Sequence, residues 1–207
     1  VGNVLPGVLQ GYLIDKKTYD SGVTDLSMLK DPAIAAKFDA DGDGKADLAG
    51  CIPGWGCERV IETGLDAYGL RDTVAHNQGA YQAIIADTIS RFENGQPILY
   101  YTWTPYWVSN VLKPGKDVVW LEVPKTDLPD GNNSVDTMYK GKNLGFAVDK
   151  IVAVVNKEFA EENPAALKFL SVVQISTADE SSQNLRMQQG EKKPADITRH
   201  AKEWVAA

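Results

Sequence analysis

Two histidines, two cysteines and three methionines are all that this chain of 207 residues offers to metal, thiol and imidazole chemistry. His76 and His200 stand far apart in sequence, and neither belongs to a His/Cys/Asp cluster at zinc spacing. No Gly-x-Ser-x-Gly elbow, phosphate loop or dinucleotide fingerprint occurs. Acidic residues are plentiful, but nothing in the sequence pairs two of them for acid–base work, so the chain reads as a non-enzyme. A basic excess is also missing. With 21 Lys+Arg against 28 Asp+Glu, the chain lacks the positive patch on which nucleic-acid binding normally rests. No apolar run approaches the roughly 20 residues needed to span a bilayer.

What is present is the composition of a globular protein, 43% hydrophobic and 24% charged, in a chain long enough for one large or two small domains. Val8 to Ile14 reads as a strand. Asp25 to Lys30 reads as a helical turn, and Asp31-Pro32 caps and opens a helix running to Phe38. Asp39 to Gly50 reads as a loop, Glu58 to Tyr68 and Ala80 to Asn94 as helices, and Ile98 to Trp103 and Asp117 to Val123 as strands. Pro105 to Leu112 has a helical pattern, and Lys125 to Lys142 reads as a long polar loop. Beyond Leu144 come a strand over 145–155 and helices over 164–171, 178–189 and 194–205. Strands alternating with helices predict α/β architecture.

Two aromatic stretches carry the chemistry. Cys51-Ile52-Pro53-Gly54-Trp55-Gly56-Cys57 sets a tryptophan in a glycine-flanked turn, between cysteines close enough either to bridge or to remain as two thiols. Gly56 and Cys57 stand at the start of the next helix, where free backbone N–H groups and the positive dipole end favour an anion. A glycine there serves equally well if it only permits the turn. Tyr100-Tyr101-Thr102-Trp103-Thr104-Pro105-Tyr106-Trp107 supplies further rings where a strand leaves its sheet. Together the stretches suit a cation that donates no hydrogen bonds, such as a quaternary ammonium group, for which aromatic faces are the better partners. Aromatic platforms also stack on pyranose rings, so a carbohydrate-binding or glycoside-processing domain is the alternative reading.

A third feature stands apart. Asp39, Asp41, Asp43 and Asp47 occupy positions 1, 3, 5 and 9 of a calcium-type loop with Gly44 at position 6. Position 12 is Gly50 instead of a bidentate glutamate, so calcium would bind loosely and structurally; the other reading is a solvated acidic turn. No other cofactor is implied.

The blocks Gly11 to Lys17, Asp41 to Leu48, Pro53 to Cys57, His76-Asn77-Gln78-Gly79 and Tyr100 to Asn110 closely resemble the ProX-type glycine betaine-binding proteins, the receptors of ProU-type osmoprotective ABC importers. The resemblance implies a periplasmic or otherwise extracytoplasmic protein that binds glycine betaine or a related quaternary ammonium osmoprotectant without transforming it. Its partner is then the membrane permease of the importer. It implies a type II periplasmic-binding-protein fold, with residues 1–145 as the second lobe including the hinge strand and residues 146–207 as the return segment and C-terminal helices of an incomplete first lobe. By the same likeness Trp55 and Trp103 match two cage tryptophans, the backbone amides of Gly56 and Cys57 hold the ligand carboxylate, and Cys51 bridges to Cys57. The two tryptophans are expected to face one another across an open cavity. Proteins of this family are longer than this chain, so the resemblance also leads one to expect a fragment without one further cage tryptophan and a carboxylate-binding histidine.

Overall fold

The structure, a computed structural model, describes residues 1–207. Its strands and helices through the first half are β1 (Asn3–Asp15), α1 (Lys16–Asp20), α2 (Pro32–Ala35), β2 (Ala46–Ala49), α3 (Gly56–Ala67), β3 (Val74–Asn77), α4 (Tyr81–Glu93) and β4 (Leu99–Thr104). There follow α5 (Val108–Val111), β5 (Val118–Trp120), β6 (Met138–Tyr139), β7 (Lys142–Asn143), β8 (Asp149–Val152), α6 (Lys157–Glu162), α7 (Pro164–Val172), α8 (Thr177–Gln188) and α9 (Pro194–Ala206). They form two compact units: Leu9–Trp103 with Leu112–Val148, and Val1–Val8 with Thr104–Val111 and Asp149–Ala207.

The larger unit is built on a mixed sheet in the order β3-β2-β4-β1-β5. β2 runs parallel to β3 and β4, while β5 pairs antiparallel with β1 through Leu13 and Trp120. Tyr12, Leu13 and Ile14 are all buried, as a strand covered on both faces requires. Gly11 lets the strand pack closely here, since a Cβ would come within 3.2 Å of the Trp120 ring. The strand ends at Asp15, whose carboxylate caps α1 by accepting from the Thr18 amide at 2.7 Å and also accepts from the Ile98 amide at 3.2 Å.

α3 buries Cys57, Ile61, Gly64 and Leu65, a stripe at helical spacing that faces the sheet. α4 does the same with Tyr81, Ile85 and Thr88. Asp31 caps α2 by accepting from the Ala33 amide at 2.9 Å, with Pro32 in the first turn. The sequence reading runs that helix to Phe38; the structure tightens it into a 3-10 turn over Ala36–Phe38. β2 and β3 were not expected at all. They are four residues each, β2 (ADLA) has no β-branched residue and β3 (VAHN) only Val74, so both are too short and too poor in strand formers to give a clear propensity or alternation signal. The polar stretch after Lys125 contains one short hairpin, β6 with β7.

In the smaller unit, the start of β1 pairs antiparallel with β8, from Asn3 opposite Val152 to Val8 opposite Asp149. The Ser181 hydroxyl of α8 accepts from the Tyr106 amide at 3.2 Å, just before α5. Glu191, between α8 and α9, accepts from Arg186, Arg199 and His200 at 3.2, 2.8 and 2.6 Å. No helix is long and apolar enough to cross a membrane.

Candidate functional site

β2 and β4 lie side by side and parallel, with Ala49 opposite Tyr100. Their carboxyl ends therefore emerge together, which is where open α/β sheets place ligands. β2 leads into the turn 51–57, and β4 carries Trp103 next to its last residue, Thr104. In this way Trp55 and Trp103, almost fifty residues apart in sequence, become neighbours. Their ring centroids are 5.8 Å apart with the planes at 67°, so the indoles adjoin edge to face as two sides of a corner instead of standing opposite each other. Trp55 is 40% exposed and Trp103 is half-buried.

Tyr81 completes the cluster and was not singled out from the sequence. Its ring is stacked against Trp55 at 6.3 Å and tilted against Trp103 at 4.9 Å. It is fully buried, and its hydroxyl lies 2.9 Å from the Tyr101 carbonyl and 2.8 Å from the Thr102 hydroxyl. The available signal was its place at the first position of an amphipathic helix directly after His76-Asn77-Gln78-Gly79. Tyr101 is buried behind Trp103 at 6.1 Å and donates its hydroxyl to the Gln10 side chain at 2.9 Å. Burial pushes its phenol up from the usual tyrosine range. Tyr100 is a core residue with no exposure. Tyr106 and Trp107 pair with each other at 5.7 Å in the smaller unit.

Cys51 and Cys57 form a disulfide with their Cα atoms 6.4 Å apart. The turn between them holds Trp55 in extended backbone conformation as the N-cap of α3, with no side-chain cap. Gly54 adopts a φ of 89°, a left-handed geometry that favours glycine. The Trp55 and Glu58 amides donate to Ile52 and Trp55 carbonyls, whereas those of Gly56 and Cys57 donate to no backbone carbonyl outside α3 and lie too early in it to reach one within. Two amides at a helix N-terminus are thus left beside the indole corner.

Glutamates on α3 hold this turn from behind. Glu58 accepts from the Gly54 amide at 2.6 Å and from Gln78 at 2.9 Å, and these bonds, the amide first, hold its carboxyl below the usual range. Glu62 pairs with His76 Nδ1 at 2.6 Å and with Arg71. Burial raises the Glu62 carboxyl, but the His76 and Arg71 hydrogen bonds outweigh it and the net direction is down.

Of the four acidic loop residues, Asp39, Asp41 and Asp43 bring carboxylate oxygens within 4.8 Å of one another. Asp47 is turned inward, accepting from the Ala40 amide and the Asn77 side chain at 2.5 and 2.7 Å. The three outer carboxylates accept from amides of their own loop, Asp39 from Gly42 and Gly44, Asp41 from Asp43 and Asp43 from Lys45. The structure thus gathers three of the four carboxylates and turns the fourth away.

At the carboxyl ends of β2 and β4, then, an aromatic corner adjoins two free helix N-terminal amides, in a mixed α/β chain of the periplasmic-binding-protein fold. Residues 1–207 match the family described as the substrate binding domain of ABC-type glycine betaine transport systems, and the chain belongs to that family. It is 53% identical over its whole length to the glycine betaine-binding periplasmic protein OusX of Dickeya dadantii (strain 3937). Identity is also 53% over its whole length with a glycine betaine/proline betaine-binding periplasmic protein of Escherichia coli (strain K12). The chain spans 63% of the length of each of these relatives. Among solved structures, a choline binding protein of an ABC transporter in complex with choline superposes with a TM-score of 0.63 at 18% identity, over 98% of this chain and 62% of that one. Lactococcal OpuAC, closed on glycine betaine, gives 0.61 at 19% identity, over 99% of this chain and 67% of that one. These two likenesses are to the fold.

Proposed function

We propose that the chain is part of an extracytoplasmic receptor that binds glycine betaine, or a close quaternary ammonium relative, and hands it unchanged to the permease of an ABC importer. The observation that carries this reading is the placement of the Trp55–Trp103 corner beside the unused amides of Gly56 and Cys57. A betaine has a methylated ammonium head with no N–H and, one carbon away, a carboxylate. Indole faces attract the head through the ring quadrupole, at about 0.5 to 2 kcal/mol per contact depending on desolvation. Amides at a helix start donate to the carboxylate. Both groups are fixed in advance by the disulfide and by Glu58, so little ordering remains to oppose binding. None of these groups breaks or forms a bond, which is the behaviour of a carrier.

Titration of intrinsic fluorescence and calorimetry with glycine betaine, on a protein extended at its N-terminus to the length of the relatives, test the proposal. Saturable quenching or a spectral shift, abolished in Trp55→Ala, is expected. A response to mono- or disaccharides with none to betaine would favour the carbohydrate reading instead.

A further inference from the structure

His76 lies under the ligand-holding turn, and its sequence gave no reason to connect the two. Its side chain is only 3% exposed. The imidazole rests directly on Gly50, where a Cβ would come within 1.9 Å of Nε2. Any side chain at position 50 would push the imidazole away. The Cys51 amide donates to Nε2 over a long 3.4 Å, while Nδ1 lies 2.6 Å from the Glu62 carboxylate. These roles fix the tautomer: Nδ1 carries the proton and donates, and Nε2 accepts. Glu62 is held in turn by Arg71.

Cys51 is the root of the turn. Its sulfur ties it to Cys57, so a shift of Cys51 moves the residue whose amide faces the carboxylate. Glu58 steadies the other side through Gly54 and Gln78, a loop residue two places after His76. Glu58 and Glu62 sit four apart on one face of α3. We propose that His76 is a positioning residue for the betaine carboxylate: as the Nδ1–H tautomer, braced by Glu62 and seated on Gly50, it fixes the Cys51–Cys57 turn and so the direction of the Gly56 and Cys57 amides. This inference rests on the betaine reading above. It adds that affinity for the carboxylate end is set from behind the turn by a residue that never touches ligand.

The experiment compares two probes, glycine betaine and tetramethylammonium, the second having the head and no carboxylate. In His76→Ala, betaine affinity should fall about ten-fold, with tetramethylammonium changing about three-fold or less because Tyr81 and Trp103 still support Trp55. His76→Gln, which restores an acceptor and a donor on one side chain, should recover most of the loss. Equal loss for both probes, or none for either, overturns the proposal. Two ligand-free measurements separate this from the betaine reading itself. The ¹⁵N spectrum of the wild-type imidazole must show the Nδ1–H tautomer, and an Nε2–H tautomer overturns the proposal even if His76→Ala does not fold. The Gly56 and Cys57 amide resonances should move in His76→Ala without ligand and return toward their wild-type positions in His76→Gln; if they stay in place in His76→Ala the proposal falls. A wild-type protein of the relatives' full length that ignores betaine refutes the functional reading and leaves these two measurements to judge His76.

Discussion

The ring of Tyr81 lies 4.9 Å from that of Trp103, centroid to centroid, tilted by 40°. The buried phenol is thus the floor on which the exposed indole corner stands, and its hydroxyl is anchored to the Tyr101 carbonyl and the Thr102 hydroxyl. Tyr81→Phe keeps the ring and removes the anchor. It is expected to cost about 1–2 kcal/mol of stability, through partners left unsatisfied in a buried place, while betaine affinity changes little. Tyr81→Ala should cost about 3–5 kcal/mol and weaken binding as well. Urea unfolding followed by tryptophan fluorescence reads the first effect and calorimetry the second.

Trp55 and Trp103 should separate binding from stability in the same way. Trp55 is substantially exposed, so Trp55→Ala should lower betaine affinity by about 2 kcal/mol, roughly thirty-fold, and leave the unfolding midpoint nearly in place. Trp103 touches Tyr81 and Tyr101 as well as Trp55, so Trp103→Ala should lower both. If Trp55→Ala destabilises the protein as much as Trp103→Ala does, Trp55 is a packing residue and the corner is not a ligand surface.

The contrast between these residues shows what the sequence made legible. Trp55 stands out because glycines and cysteines flank it, and Trp103 because it ends an apolar run. The family likeness supplied the disulfide and the two amides. Tyr81 and His76 did not stand out, because their importance arises from what lies above them: β2 and β3, the short strands that bring His76 under Gly50, have too little propensity or alternation to be seen. In the acidic loop the spacing shows four carboxylates, and only the three-dimensional placement shows that Asp39, Asp41 and Asp43 cluster while Asp47 turns toward Ala40 and Asn77.

Reduction is expected to loosen the site before it unfolds the larger unit. The bridge from Cys51 to Cys57 closes a loop so short that the chain-entropy relation assigns it at most about 2.4 kcal/mol. Both cysteines are buried, and Glu58 and His76 continue to hold the turn. A Cys51→Ala/Cys57→Ala protein should therefore remain folded and lose up to that amount of stability. Faster exchange at the Gly56 and Cys57 amides should precede any global change. Hydrogen exchange on oxidised and reduced protein decides this, and simultaneous loss of protection throughout the larger unit would show that the bridge holds more than the turn.

Acid should act on the smaller unit through Glu191. Glu191 is drawn down from the ordinary value of 4.5 to about 2 by hydrogen bonds from Arg199, then His200, then Arg186. A carboxyl with a depressed folded value stabilises the folded state at pH values above its unfolded one. That contribution declines as pH falls below about 4.5 and is gone once pH passes below about 2. Glu191 and its guanidinium partners are partly open to water, so salt should weaken the effect. The expected result is a loss of order around α8, Glu191 and α9 between those two pH values, read from the Glu191 carboxyl carbon shift and helical circular dichroism. Glu191→Gln should abolish most of the acid dependence over that range and leave the Trp55–Trp103 fluorescence unchanged. An acid transition of the same size in Glu191→Gln would show that other carboxylates drive it.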